Sequence, residues 1–157
     1  MKRSTLIAAS AIVAALVVVT SCKKDDEPSK TDLLTGKSWY ETKSEISYKG
    51  VKTSVPVDDC EKDDILKFVK EGTYNATIGA DDCDGGESTE TGKWSWQNGE
   101  KTLRLINNAD VDHPTDVTLI SLTSSTIVVN TGAIEFDVDG DGKDDTNVDL
   151  LVTYTAK

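Results

Sequence analysis

Apolar and polar positions follow two different patterns along the 157 residues. One continuous apolar run, Leu6 to Val19, lies near the N-terminus. After Gly36, short runs of alternating and β-branched residues are separated by turn residues, and none keeps helical spacing over about ten positions. The short runs predict about eight to ten β-strands, at Trp39–Tyr48, Val51–Val57, Asp64–Val69, Thr73–Ile78, Gly92–Gln97, Thr102–Ile106, Val117–Leu122, Ile127–Asn130, Ala133–Val138 and Val148–Tyr154.

The fold class that this pattern predicts is all-β. One helical turn is expected at Asp32–Gly36, capped by Thr31 or Asp32, since both side chains can accept the first backbone hydrogen bonds of a helix. Consecutive hairpins must cover the edges of their sheet, and closure into an antiparallel up-and-down barrel or half-barrel of about eight strands does so. A two-sheet β-sandwich fits the same pattern, and periodicity leaves both architectures open.

The strongest local hairpin signal is Asn98-Gly99, because both residues tolerate the positive φ angles of a type I′ turn. A two-residue turn at this position pairs Trp94 with Leu103. One face of the hairpin is then apolar and carries Trp94, Trp96, Leu103 and Leu105. These side chains are predicted to lie in the core, because large aromatic residues dominate the cores of small domains. Stacking of the tryptophans on a ligand is the alternative.

The N-terminal apolar run has the pattern of an export signal over residues 1–21. A basic start, Met1-Lys2-Arg3, precedes the run, and small residues follow it. A membrane-spanning helix needs roughly 20 apolar residues, and this run is shorter. The mature protein is therefore expected to begin at Cys22.

The residues Val19-Thr20-Ser21-Cys22 resemble the lipobox of bacterial lipoproteins. The resemblance implies lipidation of Cys22, which anchors the chain to a membrane without crossing it. Residues 22–31 form a charged tether, and Lys24-Asp25-Asp26 looks like the tether of surface-exposed lipoproteins of Bacteroidota. That likeness implies an outer-membrane protein facing the cell exterior. The alternative is a plain spacer on the periplasmic face.

Two cysteines, Cys60 and Cys83, remain after Cys22, and an exported chain usually pairs such cysteines. A two-residue turn at Glu71-Gly72 would place them opposite each other across the open end of a hairpin, at a separation that a disulfide can span. Metal binding by the pair is the rival interpretation, but no Cys or His cluster completes a site and His113 stands alone. A disulfide is therefore predicted.

Several segments together resemble the lipocalin-like domain lipoproteins of Bacteroidota. Their order along the chain is Leu34-Thr35-Gly36-Lys37-Ser38-Trp39, Cys60-Glu61-Lys62-Asp63-Asp64, Phe68, Glu71-Gly72-Thr73-Tyr74, Cys83, Thr91-Gly92-Lys93-Trp94-Ser95 and Ile120-Ser121-Leu122-Thr123-Ser124. The resemblance covers most of residues 32–157, which form the predicted domain. It implies an eight-stranded antiparallel barrel or half-barrel with a pocket for a small hydrophobic molecule at its mouth, and it implies no enzymatic activity.

An acidic segment near the C-terminus, residues 137–145, matches the first half of a calcium loop, with Asp at positions one, three and five and Gly at six. Val148 stands where a bidentate Glu is expected, so any affinity for Ca²⁺ should be weak, on the order of 0.1–1 mM. A solvated Asp/Gly turn is the alternative. The predicted ligands are Asp137, Asp139, Asp141, the Lys143 carbonyl and Asp145.

Composition and missing motifs narrow the function further. The formal net charge is −11, from 28 acidic and 17 basic residues, which argues against nucleic acid as a partner. His113 precedes Pro114 in a predicted polar loop and has no nucleophile beside it. No carboxylate is predicted to lie inside an apolar strand; Glu135 comes closest to this, but strand alternation places it on the polar side. An enzyme is not expected. A carrier of a small apolar molecule is the first hypothesis, and a surface interaction module with a filled barrel, meeting a protein, glycan or calcium, is the second.

Overall fold

The computed structural model describes residues 27–80, 89–138 and 140–157, and for residues 145–147 the backbone alone. The described chain has almost no helix, as predicted. Apart from one 3₁₀ turn at Asp59–Glu61, its elements are α1 (Lys30–Leu34), β1 (Ser38–Tyr48), β2 (Val51–Val55), β3 (Ile65–Val69), β4 (Thr73–Thr77), β5 (Thr89–Gln97), β6 (Thr102–Asn107), β7 (Asp110–Leu122), β8 (Thr126–Phe136) and β9 (Asp145–Ala156).

The strands form one antiparallel sheet that closes on itself. From β3 to β9, each strand pairs with the next along the chain, and β9 pairs with β1 over most of its length. Two residue pairs between β1 and β3 complete a barrel of eight strands, while β2 pairs with the second half of β1. The predicted up-and-down barrel is confirmed, and the two-sheet sandwich does not form.

One end of the barrel is closed by α1. The helix begins two residues earlier than predicted because Ser29 caps it: the Ser29 hydroxyl accepts a hydrogen bond from the Asp32 backbone N–H at 3.1 Å. Lys30 donates to the Glu100 carbonyl in the β5–β6 turn at 2.7 Å. Lys70, in the β3–β4 turn, pairs with Asp32 at 2.7 Å, and this hydrogen bond lowers the pKa of Asp32 to about 2.

The core fills the half of the barrel next to α1. Trp39 has no exposed surface, and the ring of Phe68 meets that of Trp94 edge to face at a centroid distance of 5.9 Å. Trp96 is half-buried and packs against Trp94 at 5.8 Å. The predicted position of the tryptophans in the core is therefore confirmed. The buried cluster comprises Leu34, Trp39, Phe68, Tyr74, Trp94, Leu103, Val117, Ile127, Val129 and Val152.

The register predicted for the β5–β6 hairpin is wrong by two residues. Trp94 lies opposite Leu105 instead of Leu103, because the loop contains four residues, 98–101, of which Asn98, Gly99 and Glu100 have positive φ. A shift of two residues keeps every side chain on the same face of a strand. The apolar face was thus predicted correctly from an incorrect turn.

The β3–β4 register differs by one residue from the predicted one, so Cys60 and Cys83 are no longer expected to lie directly opposite each other, and the geometric argument for the disulfide is lost. Val69 pairs with Thr73 across a three-residue loop that ends at Gly72, whose φ is +87°. Cys60 lies half-buried in the 3₁₀ turn, outside the strands. Cys83 lies outside the described residues, so the disulfide itself stays a prediction.

Two strands are longer than the pattern indicated. The segment around His113 and Pro114, expected to be a loop, belongs to β7. A register irregularity between Leu105 and Asn107 on β6 lies opposite this segment, where the Pro114 nitrogen has no proton to donate. The two predicted strands at residues 127–138 form the single strand β8, which also has irregular register.

In the part of the chain that the structure describes, no helix has the length and apolar character needed to span a membrane.

Gly92 lies where β5 crosses the ring of Tyr74 on β4. A Cβ atom at this position would overlap both the Ile106 carbonyl oxygen and the Tyr74 ring. Glycine is required here because the obstruction includes backbone, which cannot rotate away. This accounts for the glycine two residues before Trp94.

We expect Gly92→Ala to lower the free energy of unfolding by about 1–3 kcal/mol, the range typical of overpacked cores. Urea denaturation followed by tryptophan fluorescence measures the change. Lys93→Ala, at the adjacent exposed position, is the control and should leave the midpoint nearly unchanged. Equal midpoints for Gly92→Ala and the wild type would contradict the close approach of Tyr74.

Candidate functional site

A cavity of about 770 Å³ opens at the end of the barrel opposite α1. A smaller recess of about 250 Å³ adjoins it and shares Tyr74, Glu90, Leu105 and Asn107 with it. The cavity exists because the tryptophan and phenylalanine rings fill only the half next to α1, whereas smaller residues such as Ala76 line the other half. Its size falls within the range of about 300–1,000 Å³ that is usual for small-molecule sites.

Much of the cavity wall is apolar or aromatic. Side chains from β1, β3, β4, β6 and β9 and the adjoining turns supply this surface: Trp39, Ile65, Leu66, Tyr74, Ala76, Ile78, Leu105, Ala109 and Tyr154. The remaining wall is polar, with threonines and asparagines near the mouth and four carboxylates, Glu41, Glu61, Asp64 and Glu90.

Tyr74 and Glu90 form a hydrogen-bonded pair in the wall. The Tyr74 hydroxyl donates to Glu90 Oε1 at 2.5 Å. Burial is the largest cause that raises the pKa of Tyr74, and the hydrogen bond and negative charge of Glu90 raise it further. The phenol therefore stays protonated and keeps one Glu90 oxygen occupied.

Glu41 is half-buried, whereas Glu61 and Glu90 are exposed. Ser44 donates to Glu41 Oε1 at 2.6 Å, which favours the ionised carboxylate. Burial nevertheless raises the pKa of Glu41, and the nearby charges of Glu61 and Asp64 add to this. Sequence reasoning missed this residue, since it expected no carboxylate inside an apolar strand and considered Glu135, which is exposed.

Tyr154, on β9, faces the same group of carboxylates. Burial raises the pKa of Tyr154, and so do the charges of Glu41 and Glu61. Within residues 27–80, 89–138 and 140–157, its hydroxyl group has no hydrogen-bond partner. The hydroxyl can therefore bond to a molecule in the cavity.

Two aspartates hold the chain at the rim of the cavity. Asp64 Oδ1 accepts a hydrogen bond from the Gly79 backbone N–H at 2.9 Å, and Asp63 Oδ2 accepts one from Ala80 at 2.7 Å. A Cβ atom on Gly79 would overlap the Asp63 carboxylate. The Asp-Asp pair therefore fastens the segment after β4 to the segment before β3.

No Lys, Arg or His is among the described residues that line the larger cavity. The ion pairs in the described part of the chain all involve other carboxylates: those of Asp32, Glu45, Asp59, Asp110 and Asp116. His113 pairs with Asp110 at 2.7 Å and borders only the smaller recess. The negative charge of the larger cavity thus has no internal counter-charge among these residues.

The predicted calcium loop lies apart from the cavity, between β8 and β9. The Asp137 carboxylate accepts hydrogen bonds from the backbone N–H groups of Gly140, Asp141 and Gly142, at 2.7–3.2 Å. Asp141 accepts from the Lys143 N–H at 2.9 Å. The described residues contain no group of three or more metal-binding side chains arranged around one point.

Several predicted site residues lie outside the described chain. These are Cys22, Cys83, Asp139 and the side chain of Asp145. The lipidation, the disulfide and the calcium site therefore stay predictions.

Comparisons with known proteins bear on the family of this chain. The family model described as a lipocalin-like domain matches residues 34–129. A solved structure of a lipocalin-like protein from Bacteroides uniformis is similar at 15% sequence identity, with a TM-score of 0.47, and the match covers 78% of this chain and 97% of that one. No curated protein matches the chain.

The raised pKa of Glu41 predicts a dependence of stability on pH. Folding favours the protonated carboxyl, so the stability that it contributes is lost as the pH rises above its ordinary pKa of 4.5. Glu41→Gln removes the charge and keeps an acceptor for Ser44. We expect it to raise the free energy of unfolding at neutral pH by less than about 1 kcal/mol, and the gain to vanish in acid.

Glu45→Gln in the same strand is the matched control. The hydrogen bond from Lys43 lowers the pKa of Glu45, so its ionised form stabilises the folded state and the substitution should act in the opposite direction at neutral pH. Urea denaturation across the acidic range measures both variants. Destabilisation by Glu41→Gln at neutral pH would contradict the assignment of an unfavourable buried charge.

Proposed function

The chain belongs to the lipocalin-like domain family, and on that premise we propose that it is a binding protein that holds a small, largely apolar molecule in the open half of its barrel. The observation that carries the proposal is the cavity of about 770 Å³ with its apolar and aromatic wall. The barrel around it is closed by backbone hydrogen bonds, which keeps the cavity in a fixed shape.

A non-catalytic role is part of this proposal. Family membership supports it, because lipocalin-like domains are generally non-catalytic. The alternative, an interaction module whose barrel is filled by its own side chains, is less favoured because the half of the barrel away from α1 is open.

Native mass spectrometry of the full chain, released gently from membranes, tests the binding role. We expect an adduct of a few hundred daltons that leaves on denaturation. Ala76→Trp should abolish the adduct, because an indole at this position on β4 occupies the cavity. Thr53→Trp, on the exposed strand β2, should retain it. A bare mass for the wild type, with no small molecule restoring an adduct, would exclude the carrier role.

We further propose that the protein is anchored to the outer membrane through lipidated Cys22 and faces the cell exterior. The support is the lipobox-like run ending at Cys22 and the charged tether over residues 22–31. A periplasmic orientation remains the alternative, since the tether composition alone fits a spacer as well.

Cys22→Ser should release the protein from the membrane fraction and abolish metabolic labelling with a fatty acid, because the acyl chains are the proposed attachment. Fractionation and labelling of cells that express either form make the comparison. Cys60→Ser is the control and should leave both readouts unchanged. Membrane retention of the Cys22→Ser protein would contradict the anchor.

Two smaller predictions complete the proposed description. A disulfide between Cys60 and Cys83 would brace the segment before β3, and a mass two hydrogens below the reduced value would identify it. A weak calcium site at residues 137–145 would order the β8–β9 connection, and calcium-dependent added mass in the native spectra would reveal it.

A further inference from the structure

We propose that the molecule held in the cavity is an organic cation: an amine or quaternary ammonium group attached to an apolar body. The inference rests on the proposed binding function and names the class of ligand. It is carried by the juxtaposition of three carboxylates, the half-buried Glu41 and Asp64 and the exposed Glu61, with the unpartnered hydroxyl of Tyr154 around a partly apolar cavity.

The first observation is uncompensated negative charge. Glu41, Glu61 and Asp64 lie close enough for the latter two to act on the titration of Glu41. Each takes part in no ion pair within the described chain, although surface carboxylates such as Asp116 and Asp32 have a basic partner within 2.7 Å. Carboxylates that approach one another in a partly apolar cavity are stabilised by a cation that enters it.

The second observation is independent of the carboxylates. Tyr154 is half-buried, and in the described part of the chain its hydroxyl group makes no hydrogen bond. A phenol oxygen accepts a hydrogen bond from an ammonium N–H, and a phenol ring attracts a cation through its face. Trp39 and Tyr74 also border the cavity but are almost completely buried, so the ring of Tyr154 is the one that a ligand can reach among these three.

These features discriminate against other ligand classes. An anionic amphiphile such as a fatty acid would meet four carboxylates and no basic side chain among the described lining residues. A neutral molecule would desolvate the carboxylates without compensation. A bare metal ion is disfavoured because, among the described residues, the three carboxylates do not converge closely enough to ligate one ion, whereas the apolar wall suits the body of an organic molecule.

The experiment compares three probes with one shared body: phenylbutylamine, phenylbutanol and phenylbutyrate. Isothermal titration of the full chain in lipid nanodiscs, with empty nanodiscs as the blank, measures each affinity. We expect the amine to bind at least about tenfold more tightly than the alcohol, and the carboxylate to bind most weakly. The advantage of the amine should shrink at high salt, because salt screens charges at the cavity mouth.

Variants that remove charge test whether the cavity carboxylates cause the preference for the amine. The double variant Glu41→Gln with Glu61→Gln should reduce the affinity for the amine by about tenfold. The double variant Glu71→Gln with Glu100→Gln, which removes the same two charges from the exposed β3–β4 and β5–β6 turns, is the matched control and should leave that affinity unchanged.

The outcomes separate the inference from the proposed function. Alcohol or carboxylate binding as tight as that of the amine to the wild-type protein would overturn the inference and leave the binding function standing. Failure of all three probes, together with a bare native mass, would overturn both. Both comparisons use the wild-type protein, so neither result depends on whether a variant folds.

Discussion

Three indole N–H groups need hydrogen-bond acceptors inside a small barrel, and the rest of the structure depends on which groups accept these hydrogen bonds. Trp39 donates to the Leu34 carbonyl at 2.8 Å, Trp94 to the Val69 carbonyl at 2.9 Å, and Trp96 to the Thr31 hydroxyl at 3.0 Å. A buried indole without an acceptor is costly. The acceptors lie on α1 and at the end of β3, so satisfying the indoles also holds these elements against the end of the barrel.

Because the large rings are concentrated at one end of the barrel, the other end is left unfilled and forms the cavity. The chain has three Trp and two Phe, and the core next to α1 uses Trp39, Phe68 and Trp94. Strand alternation then decides the polarity of the unfilled half, because residues two apart share a face. Burying Trp39 turns Glu41 inward as well, so the same strand supplies both the floor of the cavity and one of its half-buried carboxylates.

Much of this was accessible from the sequence, and the errors have physical causes. Alternation is a local property, so the strands, the tryptophan face and the all-β class were predicted. Loop lengths were not predicted correctly. The β3–β4 and β5–β6 loops contain three and four residues instead of two, and Glu100 adopts a positive φ that its residue type does not signal. The inward position of Glu41 could have been predicted from its spacing of two residues from Trp39. The cavity could not, because its volume depends on side chains that are far apart in the sequence.

The position of α1 determines at which end of the barrel a ligand can enter and leave. The tether precedes α1, and Lys30 contacts the β5–β6 turn, at the pole opposite the cavity mouth. If Cys22 is lipidated as proposed, the point of attachment precedes α1 in the chain, and the cavity mouth opens at the other end of the barrel. On that proposal, a ligand would enter and leave at the end of the barrel away from the attachment point, by exchange with the surrounding medium or with a partner molecule.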